Sequence, residues 1–244
     1  MTALHDTDGA PVIIGGGLAG LITALALAPQ PVLLLTGVPL GLESSSALAQ
    51  GGIAASIGAD DDASLHLEDT LIAGDGLCDE TVAAAVLAAA PGAIEQLERL
   101  GVVFDRDASD NIALGREAAH SRRRIVHAGG DATGRDIIRA LARRAYETPS
   151  IAVVEATTAQ RLVVEDNAIT GVLSHTARGR VLFGTDRVVI ATGGIASLFC
   201  MGRIRPDPSA KASRSRHAPA LSWPILNLFN SIRRRSTADP FHSS

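Results

Sequence analysis

The chain has 244 residues, of which 46% are hydrophobic and 20% are charged. This length allows one large domain or two small ones with a real core, and the composition excludes a disordered chain. The formal net charge of −4 indicates no attraction to nucleic acid as a partner. Because the only cysteines are Cys78 and Cys200, no disulfide framework or metal site is predicted, and a reducing, cytoplasmic location is expected.

The N-terminal segment is polar and acidic, so we expect no secretory signal. The apolar run over residues 12–35 is long enough for a membrane span, but several glycines and prolines divide it into shorter elements. We therefore expect no membrane partner.

The divided run reads as a βαβ unit. Val12–Ile14 predicts a short strand that ends at three glycines, Leu18–Ala28 a helix that Pro29 stops, and Val32–Leu35 a second strand. Wholly apolar strands are typical of the centre of a parallel sheet. Residues 37–63 are rich in Gly, Ser and Ala and are predicted to be loop and short helix.

Three helices are predicted in the middle of the chain, over residues 64–73, 81–100 and 134–146. Asp79 and Thr133 are the predicted N-caps of the second and third helices. The Pro91-Gly92 pair is expected to break the second helix into two.

The following segments change to a period of two. They predict strands of an antiparallel β-meander at residues 151–155, 161–165, 169–175 and 180–183. Its turns are expected at Asp166-Asn167 and Arg178-Gly179. Val188–Ala191 is wholly apolar again, so the chain is expected to return to the first sheet. The predicted fold class is α/β, a Rossmann-like domain with a parallel sheet and an inserted antiparallel β-meander.

The composition changes near residue 200. Residues 200–244 contain eight of the 22 Lys and Arg, two of the 26 Asp and Glu and five of the 11 prolines. This segment carries a charge of +6, against −10 for the rest of the chain. We therefore predict a domain over residues 1–199 and a disordered basic tail over residues 200–244.

Three glycines with the spacing Gly15-x-Gly17-x-x-Gly20 stand between the first strand and the helix. The first allows a tight turn, the second allows a diphosphate to approach the backbone, and the third allows helix and strand to pack closely. In this context the motif predicts dinucleotide binding, and the alternative is a glycine-rich turn of an unrelated α/β protein. The second strand ends at Thr36 instead of the acidic residue typical of NAD binding, which favours FAD.

Several motifs together resemble one family. The stretch SSALAQGGIAA at residues 45–55 can lie against a flat, polar ring system, and it is accompanied by GGGLAG, HLEDTLIAGDGLCD, GREAAHSRRRIVHAGGDATG and VVIATGG. In this order they resemble the L-aspartate oxidase family, within the succinate dehydrogenase and fumarate reductase flavoprotein superfamily. The resemblance covers about residues 12–199.

The resemblance implies an FAD enzyme that oxidises L-aspartate to iminoaspartate, the first step of de novo NAD biosynthesis, with oxygen or fumarate as electron acceptor. The glycine turn would hold the diphosphate, Thr36 would lie near the adenosine ribose, and a turn before a meander strand would contact the adenine side. The residues that the resemblance assigns to FAD are Gly15, Gly16, Gly17, Leu18, Ala19, Gly20, Thr36, Ser45, Ser46, Ala47, Leu48, Ala49, Gln50, Gly51, Gly52, Thr158 and Ala159.

Ser45 distinguishes members of the superfamily. The respiratory enzymes carry a histidine at this position that bonds covalently to FAD, and a serine cannot form that histidyl link. The FAD is therefore expected to be non-covalent.

The cluster REAAHSRRR spans Arg116 to Arg124. The resemblance implies that Glu117 faces the substrate and selects an amino dicarboxylate by pairing with its ammonium group, so Glu117 is the candidate catalytic residue. The alternative is a solvated charged loop, which Arg122–Arg124 fit well. His120 and His127 are as readily structural as catalytic, and His66 and Cys78 are predicted to be structural.

The resemblance ends near Phe199, where the family continues with a capping domain and substrate-binding arginine and histidine residues. None of those motifs occurs in residues 200–244, so no catalytic arginine is predicted and we expect a truncated or frameshifted, impaired chain. Two alternatives stay open. One is a soluble fumarate reductase or succinate dehydrogenase-like flavoprotein, and the other is a non-catalytic FAD-binding fragment.

Overall fold

A computed structural model describes residues 3–42 and 44–194. They form a mixed α/β structure, as predicted, in two compact units. The first unit takes the described part of Met1–Ser45 and Ala145–Ser244, and the second is Ser46–Arg144. The predicted disordered tail at 200–244 lies outside the described residues. Within them, no helix combines the length and the apolar character that crossing a membrane requires.

In chain order the elements are β1 (Ala3–Asp6), β2 (Val12–Ile14), α1 (Leu18–Leu27), β3 (Val32–Leu35), β4 (Ile53–Ala54), α2 (Ala63–Gly74), α3 (Glu80–Arg99), β5 (Leu114–Gly115), β6 (Ile125–Val126), a 3₁₀ turn (Gly130–Ala132), α4 (Thr133–Tyr146), β7 (Ile151–Val154), β8 (Thr158–Glu165), β9 (Ala168–Thr176), β10 (Gly179–Gly184) and β11 (Val188–Ile190). In the second unit, β4, β6 and β5 form a small antiparallel sheet in that order.

The parallel sheet of the first unit has the strand order β11-β2-β3-β7. Its register places Val12 opposite both Leu33 and Val188. Strands β2 and β3 are buried along their whole length, as expected for central strands that are covered on both faces. The predicted return of the chain to this sheet near residue 188 is confirmed.

The strand predicted at residues 151–155 belongs to this parallel sheet, so its assignment to the β-meander is wrong. β7 pairs with β3 in a register that places Ile151 opposite Val32. The ladder continues beyond it, because the Thr36 N–H donates to the Val154 carbonyl at 3.0 Å. The apolar pattern identifies a strand but not its partner, since an edge strand shows the same alternation in either kind of sheet.

The second sheet of the first unit has the order β1-β10-β9-β8. β8, β9 and β10 are antiparallel neighbours, as predicted. Asp166 and Asn167 have φ of 46° and 64°, the left-handed conformation that a two-residue hairpin turn needs. The second turn lies at residues 177–178, one position earlier than predicted. β1 pairs in parallel with β10 and was not predicted, because its four exposed residues show no buried alternation.

The core of the first unit joins its two sheets. Alternate residues of β2 and β3 point to one face and pack against residues of β8, β9 and β10. This cluster consists of Val12, Ile14, Leu33, Leu35, Ala159, Leu162, Val172 and Phe183. The packing holds the start of β8 close to the end of β3.

Pro91 does not break the helix predicted between residues 81 and 100, because α3 is continuous through it. A proline inside a helix costs about 3 kcal/mol. Ile94 and Leu97 follow it on the buried face, and burying two such side chains contributes roughly 1.5–3 kcal/mol each. The Asp79 N-cap is confirmed, since its Oδ1 accepts from the Val82 N–H at 3.0 Å.

The predicted cap at Thr133 takes another form. Thr133 is the first residue of α4, and its hydroxyl oxygen accepts from the Ala128 N–H at 3.2 Å. The hydroxyl also donates to the Gly130 carbonyl at 3.4 Å. It therefore stabilises the turn before the helix instead of capping the helix.

We predict that Leu34→Ala lowers the free energy of unfolding by about 2–5 kcal/mol, because this fully buried side chain leaves a cavity in β3. Leu4→Ala on β1 is the matched control, since Leu4 is 74% exposed, and it should change stability by less than about 0.5 kcal/mol. Urea unfolding followed by circular dichroism measures both variants. If Leu34→Ala lost as little stability as Leu4→Ala, the result would contradict the position of β3 at the buried centre of the sheet.

Candidate functional site

The turn between β2 and α1 is built from backbone groups that approach one another closely. The Gly15 N–H donates to the Leu35 carbonyl at 2.9 Å, and the Ala191 N–H donates to the Ile14 carbonyl at 2.9 Å. Gly15 has φ of +122°, and a Cβ there would overlap the carbonyl oxygen of Ala191. The turn and the end of β11 therefore meet with no room for a side chain at Gly15.

Gly16 and Gly20 also lie where a side chain would collide with neighbouring atoms. A Cβ at Gly16 would lie 2.6 Å from Cδ2 of Leu40, and one at Gly20 would overlap the Gly15 carbonyl oxygen. Gly17 is the N-cap of α1 and carries no side chain over the helix N-terminus. Because the first N–H groups of an α-helix have no partner within the helix, this bare backbone fits the diphosphate of a dinucleotide. Residues 15–20, predicted to bind it, lie together in this one turn.

The end of β3 and the start of β8 lie side by side. Thr36 is buried, its hydroxyl donates to the Val38 carbonyl at 2.8 Å, and its carbonyl accepts from the Thr157 N–H at 2.9 Å. Oγ1 of Thr158 is 3.7 Å from the position that a Cβ of Gly37 would occupy. Thr158 and Ala159 begin β8 instead of forming the turn before it, and the Ala159 side chain packs in the core.

Glu155 orders the loop that follows Thr36, a role that the sequence did not suggest. Its Oε1 accepts hydrogen bonds from the Leu40 N–H at 2.9 Å and from the Tyr146 hydroxyl. Burial and the Glu155 carboxylate raise the pKa of Tyr146, so the phenol stays a donor. The two bonds hold Leu40, whose side chain lies against Gly16.

In the second unit, the predicted flavin-lining stretch turns tightly against the start of α4. The Ala49 N–H donates to the Ser46 carbonyl at 3.3 Å, and the Gly134 N–H donates to the Ala49 carbonyl at 3.0 Å. A Cβ at Gly134 would lie 2.8 Å from Cβ of Ala49, and one at Gly52 would lie 3.1 Å from Cε1 of His127. Gly134 is thus required for this contact, although in the sequence it looks like an ordinary helix start.

A pocket of about 630 Å³ in the second unit brings Glu117 together with the end of the predicted flavin-lining stretch. Asp105 is already engaged, because its two oxygens accept from the Gly129 and Gly130 N–H groups at 3.0 Å each. The carboxylates give the pocket a negative character that suits a ligand with an amino group. The lining residues are Gln50, Gly51, Asp105, Ala113, Leu114, Gly115, Glu117, His127, Gly130 and Asp131.

Arg124 is fully buried, so the interpretation of residues 122–124 as a solvated loop is wrong at this position. Its Nε and Nη2 donate to the two carboxylate oxygens of Asp61, and its Nη1 donates to Oδ2 of Asp69, all at 2.8 Å. The Asp61 side chain is fully buried and that of Asp69 is 13% exposed. Removing one partner from such a buried pair costs about 3–5 kcal/mol.

His66 lies beside this ion pair and is only 3% exposed, which agrees with the predicted structural role. Its Nδ1 is buried without a hydrogen-bond partner among the described residues, and its ring meets the His120 ring at a centroid distance of 5.6 Å. Burial lowers the pKa of His66, and electrostatic interaction with Arg124 and His120 lowers it further, against the opposing effect of Asp61 and Asp69. The imidazole is therefore neutral at pH 7.

These features define the class of the protein. A parallel sheet whose central strand ends in a glycine turn, at the N-terminus of a helix, is a dinucleotide-binding α/β fold. The family described as FAD binding domain matches residues 11–219. The chain belongs to that family, and FAD is its cofactor.

Several curated relatives of the chain are L-aspartate oxidases. Over 201 residues the chain is 59% identical to an L-aspartate oxidase of Mesorhizobium japonicum, a match that covers 82% of this chain and 39% of the relative. L-aspartate oxidases of Agrobacterium fabrum and Bacillus subtilis are 54% and 40% identical, over 77% of this chain and 36% and 35% of their own lengths. The chain thus spans under two fifths of the length of these curated relatives.

Solved structures share the fold. A chain of the Mycobacterium smegmatis Sdh1 complex superposes with a TM-score of 0.73 at 28% identity, covering 81% of this chain and 36% of that one. A quinol fumarate reductase of E. coli gives a TM-score of 0.74 at 24% identity, with 81% of this chain and 34% of that one. The predicted resemblance to this flavoprotein superfamily is confirmed.

We predict that Gly20→Ala weakens FAD binding at least about tenfold, or about 1.4 kcal/mol, because the new Cβ would push α1 away from the Gly15 carbonyl. Gly184→Ala on β10 is the control, since a Cβ there meets no described atom within 4 Å. Flavin absorbance retained after gel filtration compares the variants with the parent. Full retention by Gly20→Ala would contradict the close approach.

We predict that the free energy of unfolding begins to fall as the pH drops below the ordinary histidine pKa of about 6.5. The folded-state pKa of His66 is lowered, so between the two pKa values the unfolded chain binds more protons. The stability present above the unfolded-state pKa is therefore lost as the pH falls through the folded-state pKa. Urea midpoints measured from about pH 8 to about pH 5 should show a shallower slope in His66→Gln than in the parent. His5→Gln, on exposed β1, is the control, and an unchanged slope in His66→Gln would contradict this role.

Proposed function

We propose that this protein binds FAD non-covalently and oxidises L-aspartate to iminoaspartate, the first step of de novo NAD biosynthesis. The observation that carries the proposal is the 59% identity over 201 residues to the L-aspartate oxidase of Mesorhizobium japonicum. The glycine turn and the pocket that contains Glu117 supply groups that such an activity needs.

The residues of the first unit suit the nucleotide part of FAD. Residues 15–20 offer bare backbone at the start of α1 for the diphosphate. The Thr36 hydroxyl donates to Val38 and can still accept a hydrogen bond from a ribose hydroxyl. Thr158 lies beside it, for the adenine side.

The stretch that begins at Ser45 is proposed to lie against the flavin ring. Bound FAD supplies the two-electron chemistry of the reaction. The tight turn at Ala49 and the bare backbone at Gly51 and Gly52 suit a flat ring that packs against the chain. Because Ser45 cannot form a histidyl link, we propose that the cofactor is held without a covalent bond.

Glu117 is proposed to select the substrate. It is exposed in its pocket, where its carboxylate can receive charge-assisted hydrogen bonds from the ammonium group of L-aspartate. Succinate has the same two carboxylates but no amine, so Glu117 would repel it without compensation. Oxygen or fumarate is the proposed electron acceptor, and the low cysteine content supports a cytoplasmic location.

The purified chain, reconstituted with FAD, tests the proposal. We expect flavin absorbance to remain with the protein through gel filtration and to be released by acid precipitation, since no covalent bond is formed. Without oxygen, L-aspartate should bleach the flavin and succinate should not. The L-aspartate oxidase of Mesorhizobium japonicum is the positive control.

Each contrary result points to a different alternative. A colourless protein would contradict FAD binding itself. Bleaching by succinate would favour a succinate dehydrogenase-like flavoprotein. A yellow protein whose flavin is bleached neither by L-aspartate nor by succinate would favour a non-catalytic FAD-binding chain.

A further inference from the structure

We propose that Asp69 is a positioning residue that fixes the turn carrying Glu117, through its hydrogen bonds with Ser121. Selectivity for an amino dicarboxylate over a plain dicarboxylate would then depend on a residue outside the pocket. This inference rests on the proposed function, because that function assigns Glu117 its task.

Asp69 projects from α2 and holds the end of the turn with one oxygen. Its Oδ2 accepts from the Ser121 N–H at 2.7 Å, from the Ser121 hydroxyl at 2.8 Å and from Nη1 of Arg124 at 2.8 Å. The Ser121 N–H lowers the pKa of Asp69 most, and the Ser121 hydroxyl and Arg124 add to it, against the opposing effect of burial. Asp69 is therefore ionised at neutral pH and keeps all three bonds.

Arg124 fixes Asp69 from the buried side. Asp61, two residues before the start of α2, engages two nitrogens of the guanidinium in a bidentate pair, and the third nitrogen reaches Asp69. A bidentate pair of this kind restricts the orientation of the guanidinium plane. Asp69 is thus held by its helix on one side and by a buried, oriented cation on the other.

Two described hydrogen bonds lie within the turn itself, over residues 116–120. The His120 N–H donates to the Glu117 carbonyl at 3.3 Å, and Nε of Arg116 donates to the His120 carbonyl at 3.0 Å. Ala119 has φ of +68°, a left-handed conformation that is unfavourable for an alanine. A strained turn of this kind persists only where its surroundings hold it, and the Ser121 bonds to Asp69 do so at its end.

Loss of the Ser121 hydroxyl should affect the position of the turn more than the stability of the fold. The buried pair of Arg124 with Asp61 is the interaction whose loss would most weaken the fold, because it would leave an unpaired buried charge. The hydroxyl bond of the exposed Ser121 contributes much less to folding, because water can replace it. A displacement of about 1 Å at a reacting or binding group can nevertheless cost about 100-fold in function. Loss of the Ser121 hydroxyl should therefore leave the fold intact and change ligand selection.

The test uses Ser121→Ala in the FAD-loaded full chain, with Ser121→Thr as the conservative rescue. Ser109→Ala is the matched control, because the hydrogen bond described for Ser109 comes from its backbone N–H. Dissociation constants for L-aspartate and succinate come from titration of the flavin spectrum. In Ser121→Ala we expect L-aspartate to bind about tenfold more weakly, with less than about twofold change for succinate and FAD. Ser121→Thr should recover most of the loss.

An equal loss for both dicarboxylates would overturn the proposal, because a general structural role would affect them alike. Unchanged affinity for L-aspartate would overturn it as well. If the parent chain does not bind L-aspartate, the proposed function fails. Amide hydrogen exchange then tests separately whether the bonds between Ser121 and Asp69 hold the turn. The His120 and Ser121 amides should exchange faster in Ser121→Ala and not in Ser109→Ala, and equal exchange rates in the two would overturn the anchoring.

Discussion

Backbone atoms of Gly15, Gly20 and Ala191 meet at distances that leave no space for a side chain, and the proposed dinucleotide site depends on this contact. The end of β2, the start of α1 and the end of β11 all take part in it. Because β11 follows the whole antiparallel excursion, the site forms only when the chain has returned to its first sheet. The core shared by the two sheets of the first unit holds β3, and so the residue Thr36 that is proposed to contact the ribose, in place.

The second unit is stabilised by a buried ion pair, whereas the glycine turn of the first unit depends on close contacts between backbone atoms. Arg124 has no exposed surface, and three hydrogen bonds to two carboxylates compensate its desolvation. Burial, with a smaller contribution from Arg124, lowers the pKa of the neighbouring His66, and the hydrogen bond from Arg124 gives Asp69 a fixed place. Glu117 is exposed in its pocket, and the proposed role of the charged cluster is to hold the turn that carries it.

Local signals account for what the sequence predicted well. The buried strands β2 and β3, the glycine turn and the Asp79 cap each depend on residues that are neighbours in the chain. The wrong predictions concern which strands pair with each other and where burial offsets an unfavourable residue. The pattern at residues 151–155 does not reveal its neighbouring strand, and the helix through Pro91 depends on burial further along. Arg124 and Asp69 stand 55 positions apart, so no local pattern distinguishes this arginine from the two before it.

A crystal structure of the protein with FAD tests the central claim most directly. The account predicts that the diphosphate lies at the N-terminus of α1, with its oxygens about 2.7–3.2 Å from backbone N–H groups of residues 15–20. It also predicts that Gly15, Gly20 and Ala191 keep their present contact in the complex. A diphosphate bound elsewhere, or one that enters only after α1 moves away from β2, would contradict it.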